Sequence, residues 1–272
     1  MFFHRALAFL LVLSMAPGFA AAAHAGDRIV VTGSSTIAPL MAEIGKRYEK
    51  LHPGLRIDVQ SGGSTRGVTD VRAGLSDIGM VSRAMTAGES DLLAYEIARD
   101  GVAIILHRDN PLTELSNRQI VDIYTGRATD WADVGGKPGK ITVVNKAEGR
   151  STLELFLAHF GLGVRDIVAH VVIGDNQQGI KTVSANPGAI GYVSIGTAEF
   201  EASVGTPVKL LGLEGVPASV ANVKNGTYPL SRPLNLVVRP ADRERLEPVT
   251  SFARSADVDD IVADQFFVPS HP

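Results

Sequence analysis

The chain of 272 residues contains no cysteine and a single tryptophan, Trp131. Without cysteine it has no disulfides and nothing to carry the lipid that tethers a lipoprotein. No apolar run is long enough to span a bilayer. Signatures of catalysis are missing as well: there is no Gly-x-Ser-x-Gly elbow, no Ser-x-x-Lys, no His-Glu-x-x-His and no Walker loop. His52, His107, His159, His170 and His271 show no paired ligand spacing. Hydrolytic or metal chemistry therefore has no nucleophile, base or ligand set to rest on, and neither a metal nor an organic cofactor is expected. Basic residues are also in deficit, 26 Lys and Arg against 29 Asp and Glu, which makes nucleic acid a poor partner. Internal repeats and low-complexity tracts are absent after the leader.

What is present starts with a leader. His4 and Arg5 form a short basic start, Ala6 to Met15 is almost wholly apolar, and Ala23-His24-Ala25 is a small-x-small cleavage site. Residues 1–25 read as a secretory signal peptide, and the mature chain is expected free in the periplasm. At 45% hydrophobic and 20% charged residues, it has the composition of an ordinary globular protein large enough for two lobes.

Strand-like and helix-like runs alternate along the mature chain. Ile29 to Val31 is apolar; Ile37, Leu40, Met41, Ile44, Tyr48 and Leu51 then stripe one face of a helix from about 35 to 50. Leu55, Ile57 and Val59 alternate with polar residues as in a strand. A short helix covers 65–73, a strand 77–83, and a helical run 89–97. Val102 to Leu106 is a strand leaving the first lobe. Further on, helices are expected at 117–124, 151–160, 177–184 and 243–254, and strands at 141–144, 167–173, 189–193 and 208–213. The stretch 228–238, with Pro229 and Pro233, suits an edge or hinge crossing. The alternation predicts an α/β protein of two lobes, each a mostly parallel sheet flanked by helices. Lobe 1 takes 26–105 and 228–272, lobe 2 takes 106–227, and a ligand cleft lies between them.

Three turns share one chemistry. Thr32-Gly33-Ser34-Ser35-Thr36, Ser61-Gly62-Gly63-Ser64-Thr65-Arg66-Gly67 and Glu148-Gly149-Arg150-Ser151-Thr152 each join a strand-like run to a helix-like run. The first N–H groups of a helix lack internal partners and sit at the positive end of its dipole, so hydroxyls there complete a pocket for an anion. Taken singly, Ser34 or Ser35 also reads as a helix cap. Three such turns facing one space would hold one oxyanion.

Five stretches in fixed order carry a family resemblance: Val31 to Thr36, Asp77-Ile78-Gly79-Met80-Val81-Ser82, Tyr124-Thr125-Gly126 with Asp130-Trp131, Ala189 to Val193, and Tyr228 to Leu234. Together they resemble the phosphate-binding periplasmic proteins of ABC transporters, within the type II solute-binding proteins. The resemblance implies inorganic phosphate held by Thr36 and the N–H of Ile37, by Ser64, and by Ser151 and Thr152. Ser35 and Ser82 complete the candidate set, and Arg66, Arg83 and Arg150 are candidate charged contacts. It also implies a non-enzymatic monomer that delivers its ligand to an inner-membrane ABC permease. The chain departs from the family where Arg83 replaces an acidic residue that accepts the phosphate proton. Glu148 or Asp77 is the candidate replacement acceptor, and Lys146 stands for the family's basic residue before the third turn. Sulfate, another oxyanion or an organophosphate is the alternative ligand, and a sensor or adhesin the alternative role.

Overall fold

The computed structural model describes residues 28–270; the signal peptide read from residues 1–25 lies outside them. The first half of the fold opens with β1 (Arg28–Gly33), α1 (Ala38–Leu51), β2 (Arg56–Ser61), α2 (Ser64–Arg72) and β3 (Ile78–Val81). In α1 the predicted stripe is inward except at its end: Leu40, Met41, Ile44 and Tyr48 are buried, as the spacing of three and four requires, while Leu51 in the last turn is exposed. Both β2 and β3 pair with β1 in parallel.

The long strand β4 (Leu93–His107) follows, then α3 (Asn117–Tyr124), β5 (Thr142–Lys146), α4 (Ser151–Phe160), β6 (Val171–Ile173), α5 (Asn176–Ser184), β7 (Ala189–Ser194), α6 (Ile195–Ser203), β8 (Val208–Leu211) and α7 (Val220–Lys224). The chain returns through β9 (Ser231–Val238) and ends with α8 (Arg243–Phe252), α9 (Asp259–Asp264) and β10 (Val268–Pro269). The sheet runs β2-β1-β3-β9-β4-β7-β5-β6, with β8 and β10 also on β4. Its flanks are parallel, as the alternation predicts, and β9 and β4 at its centre run antiparallel to their neighbours. The result is one curled mixed sheet with flanking helices. No helix among the described residues is long and apolar enough to cross a membrane.

Two sequence expectations fail at this centre. The stretch 89–97 is not helical: after a short 3₁₀ turn at Ala87–Glu89 it enters β4, because pairing with β9 from Leu93 to Gly101 supplies its backbone partners and overrides a weak local helical pattern. The stretch 228–238 is no edge: β9 lies between β3 and β4. Pro233 is tolerated there because β3 pairs only Asn235 to Val237, so at Pro233 a ladder exists on one side only.

Separate apolar cores fill the two halves. One gathers Val31, Leu40, Ile44, Met80, Leu236 and Leu246; the other gathers Ile104, Ile120, Tyr124, Trp131, Phe156 and Tyr192. In the second core the Phe156 ring stacks on Tyr192 with centroids 4.1 Å apart. The Tyr192 hydroxyl in turn donates to Asn145 Oδ1 at 2.5 Å. This stack fixes the register of α4 against β5 and β7, and so the position of Ser151 and Thr152 at its start.

Candidate functional site

The three hydroxyl-rich turns meet. Gly33 makes the first possible: its φ is +132°, and a Cβ there would lie 2.4 Å from the Met80 carbonyl oxygen. Gly63 does the same across the site, with φ +99° and an ideal Cβ 2.6 Å from the Gly149 carbonyl oxygen, so only glycine lets the second and third turns touch. There the Thr65 N–H donates to Gly149 O at 3.3 Å, and the Ser64 and Ser151 hydroxyls are bonded directly.

The starts of α1, α2 and α4 carry no side-chain cap. Elsewhere α3, α5, α6 and α7 are capped by Ser116, Asp175, Ser194 and Ser219, and α8 and α9, away from the turns, also lack a side-chain cap. Three helix starts with positive dipole ends therefore converge. The space they enclose has a volume of about 10 Å³ and is lined by Ser34, Ser35, Thr36, Gly63, Ser64, Ser82, Arg150, Ser151 and Thr152. Larger surface grooves, one of about 860 Å³ beside Thr113–Gln119 and one of about 700 Å³ beside α1 and α9, contain none of these residues. Chemistry rather than size marks the site.

Of the residues singled out in the sequence, Ser35, Thr36, Ser64, Ser82, Arg150, Ser151 and Thr152 line this space. Ile37 is buried, and its N–H is 3.4 Å from Ser34 Oγ. Ser34 Oγ also accepts from the Thr36 N–H at 3.2 Å and donates to Ser82 Oγ at 2.9 Å. With Ser34 O accepting from the Ala38 N–H at 3.0 Å, Ser34 caps the turn that leads into α1.

Arg66 and Arg83 do not line it. Arg66 lies on the exposed side of α2, paired with Asp70 one turn on at 3.0 Å. Arg83 is buried, but its guanidinium is bidentate to Glu89 at 2.7 and 2.8 Å and bonds Glu154 at 2.6 Å. The Arg83 guanidinium holds the Glu89 carboxyl down at about 2, helped by the Thr86 N–H. Of the proposed replacement acceptors, Glu148 is exposed beside Gly149 of the third turn, and Asp77 bonds Arg245 and the Val30 N–H.

The charge at the site comes from Arg232, absent from the sequence-based set. Its side chain is 0% exposed and pairs with Asp100, 1% exposed, at 2.7 Å; the two are directly opposed on β9 and β4. The remaining guanidinium protons reach the turns, Nη1 donating to Thr152 Oγ1 at 3.0 Å and Nη2 to Thr36 Oγ1 at 3.2 Å. The signal was an arginine at an inward position of an apolar alternation, followed by Leu234 and Leu236.

Lys146 is 2% exposed, and its ammonium donates to Asn176 Oδ1 at 3.0 Å. Asn176 Nδ2 in turn donates to Thr36 Oγ1 at 3.1 Å. Burial pushes the Lys146 ammonium down to about 7, with the nearby Arg232 and Arg150 charges adding to the effect. A dianion in the space would reverse that influence.

The chain has relatives among known proteins in both sequence and structure. Residues 20–255 match the PBP superfamily domain. Phosphate-binding protein PstS of Bacillus subtilis (strain 168) is 27% identical over 253 residues, spanning 90% of this chain and 81% of that protein. The PstS of Staphylococcus haemolyticus is 30% identical over 220 residues, 76% of this chain and 69% of that one. A crystal structure from Clostridium perfringens, described as a phosphate ABC transporter substrate-binding protein with bound phosphate, superposes with a TM-score of 0.82 at 30% identity, covering 90% of this chain and 100% of that one. An ABC-type phosphate transport receptor from Vibrio cholerae gives 0.74 at 30% identity over the same shares. Matching the superfamily domain over most of its length, and PstS proteins in sequence and structure, the chain belongs to the phosphate-binding PstS family of type II periplasmic binding proteins.

Proposed function

We propose that this protein captures inorganic phosphate between its two halves and hands it to an ABC permease in the inner membrane. The observation that carries the reading is the convergence of three helix starts without side-chain caps, with their hydroxyls, on one space backed by the buried Arg232. An anion keeps its charge on leaving water only if donors replace its hydration shell, and this arrangement supplies them.

Residues 26–105 and 228–272 form one lobe and 106–227 the other, hinged where β4 and β9 cross. The bonds that bridge them, Asn176 to Thr36 and Arg232 to Thr152, are those made on closure. The ligand contacts are Ser35, Thr36, the Ile37 N–H, Ser64, Ser82, Arg150, Ser151 and Thr152. The protein works as a soluble periplasmic monomer, freed from its signal peptide after Ala25, and carries out no catalysis.

Equilibrium dialysis with radiolabelled phosphate tests the capture step. Retention that is lost in Thr36→Val supports the assignment, and equal retention by both proteins refutes it. Uptake of labelled phosphate by cells with and without the chain separates transport from sensing.

A further inference from the structure

Beside the anion site, a second set of contacts bridges the two halves. Arg83 follows Ser82 just past β3, Thr65 follows Ser64 at the start of α2, and Glu154 stands in the first turn of α4, three residues after Ser151. Arg83 Nε donates to Glu154 Oε2 at 2.6 Å, and Thr65 Oγ1 donates to Glu154 Oε1 at 3.1 Å. None of the three lines the space where the turns meet, yet each sits beside a serine that does. Residues three apart share a helix face. Helix α4 therefore cannot carry Ser151 to the site without also carrying Glu154 to Arg83 and Thr65.

The Arg83 side of this contact is built within its own half. Nη1 and Nη2 donate to the two Glu89 carboxylate oxygens at 2.7 and 2.8 Å, and Glu89 also accepts from the Thr86 N–H at 2.9 Å. From β9, Asn235 Nδ2 donates to the Arg83 carbonyl at 2.8 Å. A guanidinium held in this way has already lost its rotamer freedom, so its Nε–H meets an incoming carboxylate with little further ordering. The Arg83 side chain is 10% exposed and that of Glu154 37%, so salt screens the pair less than it would a fully exposed one.

We infer that Arg83, Thr65 and Glu154 are positioning residues, a latch that holds the closed form and sets how long the anion is retained. This rests on the capture of phosphate by closing lobes proposed above. The sign of the effect separates a latch from plain electrostatics. Taking a carboxylate away from beside an anion site relieves repulsion and should tighten binding. Taking away a latch should loosen it, chiefly by speeding release.

The test uses the mature protein loaded with radiolabelled phosphate and chased with excess unlabelled phosphate, alongside titration calorimetry and urea denaturation without phosphate. In Glu154→Gln release should be at least about threefold faster, the effect of a charged hydrogen bond discounted for the exposure of Glu154. Affinity should fall by a similar factor, and the ligand-free denaturation midpoint should not move. Thr65→Val leaves the ion pair in place and should speed release less; it carries the same test alone should Glu154→Gln fail to fold. Release sped by less than threefold, or tighter binding, overturns the latch and leaves the phosphate reading standing. A matching loss of ligand-free stability assigns Glu154 to the fold instead and also overturns the latch. Folded, unaltered protein that binds no phosphate overturns the phosphate reading and the latch with it.

Discussion

Replacing Arg232 with glutamine should destabilise the protein far more than a surface change would. Arg232 Nε and Nη2 both donate to Asp100 Oδ2, at 3.2 and 2.7 Å, and both side chains are cut off from water. Glutamine is too short to hold Asp100 and the two threonine hydroxyls together, so a buried carboxylate loses its countercharge. Breaking a buried pair from one side costs about 3–5 kcal/mol. For a domain of this size that lowers the melting temperature by roughly 6–20 °C. Urea denaturation followed by circular dichroism reads the free energy directly. The double variant Arg232→Gln, Asp100→Asn removes the stranded charge and should recover at least about 2 kcal/mol over the single one. A single-variant loss below about 1 kcal/mol, or a double variant no more stable than the single, would refute the claim that this pair holds β9 to β4 beneath the site.

Four further outcomes follow from the same geometry. Thr36→Val strands the donors of Arg232 and Asn176 and removes one inward proton, so phosphate affinity should fall by about 1.5–3 kcal/mol in titration calorimetry. Lys146 gives the binding a pH dependence of known sign. Its ammonium lies at about 7 without ligand, and a bound dianion raises it, so binding takes up a proton above pH 7. Affinity for the phosphate dianion, corrected for the fraction of phosphate in that form, should decline as pH rises above 7, by at most about tenfold per unit; the slope should vanish in Lys146→Met. Gly63→Ala puts a methyl group against the Gly149 carbonyl and should weaken phosphate binding at least about tenfold by holding the second and third turns apart. Arg66→Ala removes only an exposed pair with Asp70 and should leave phosphate affinity unchanged in the same assay.

The three site turns were legible because each carries its chemistry locally: glycine where the backbone must turn, hydroxyls beside it, an apolar strand before and an amphipathic helix after. The parallel flanks of the sheet were legible for the same reason. Arg232 was not, since what makes it important is Asp100, more than a hundred residues away and opposite it only after β9 pairs with β4. Its neighbour Pro233 pointed towards an edge, and the antiparallel centre of the sheet was lost with it. The roles of Arg66 and Arg83 also turned on partners. An arginine beside a turn reads as an anion contact until Asp70, or Glu89 and Glu154, is seen to hold it. Asn176 carried no sequence signal at all, being one polar residue at the start of a helix until Lys146 and Thr36 are placed on either side of it.

The central claim is that one anion is held where the first, second and third turns meet. Titration calorimetry of the stripped protein with inorganic phosphate, run beside Thr36→Val and Ser151→Ala, tests it most directly. The account predicts one phosphate per chain for the unaltered protein and weaker binding in both variants, which alter opposite sides of the site. No heat from folded, unaltered protein, or undiminished affinity in both variants, would contradict it.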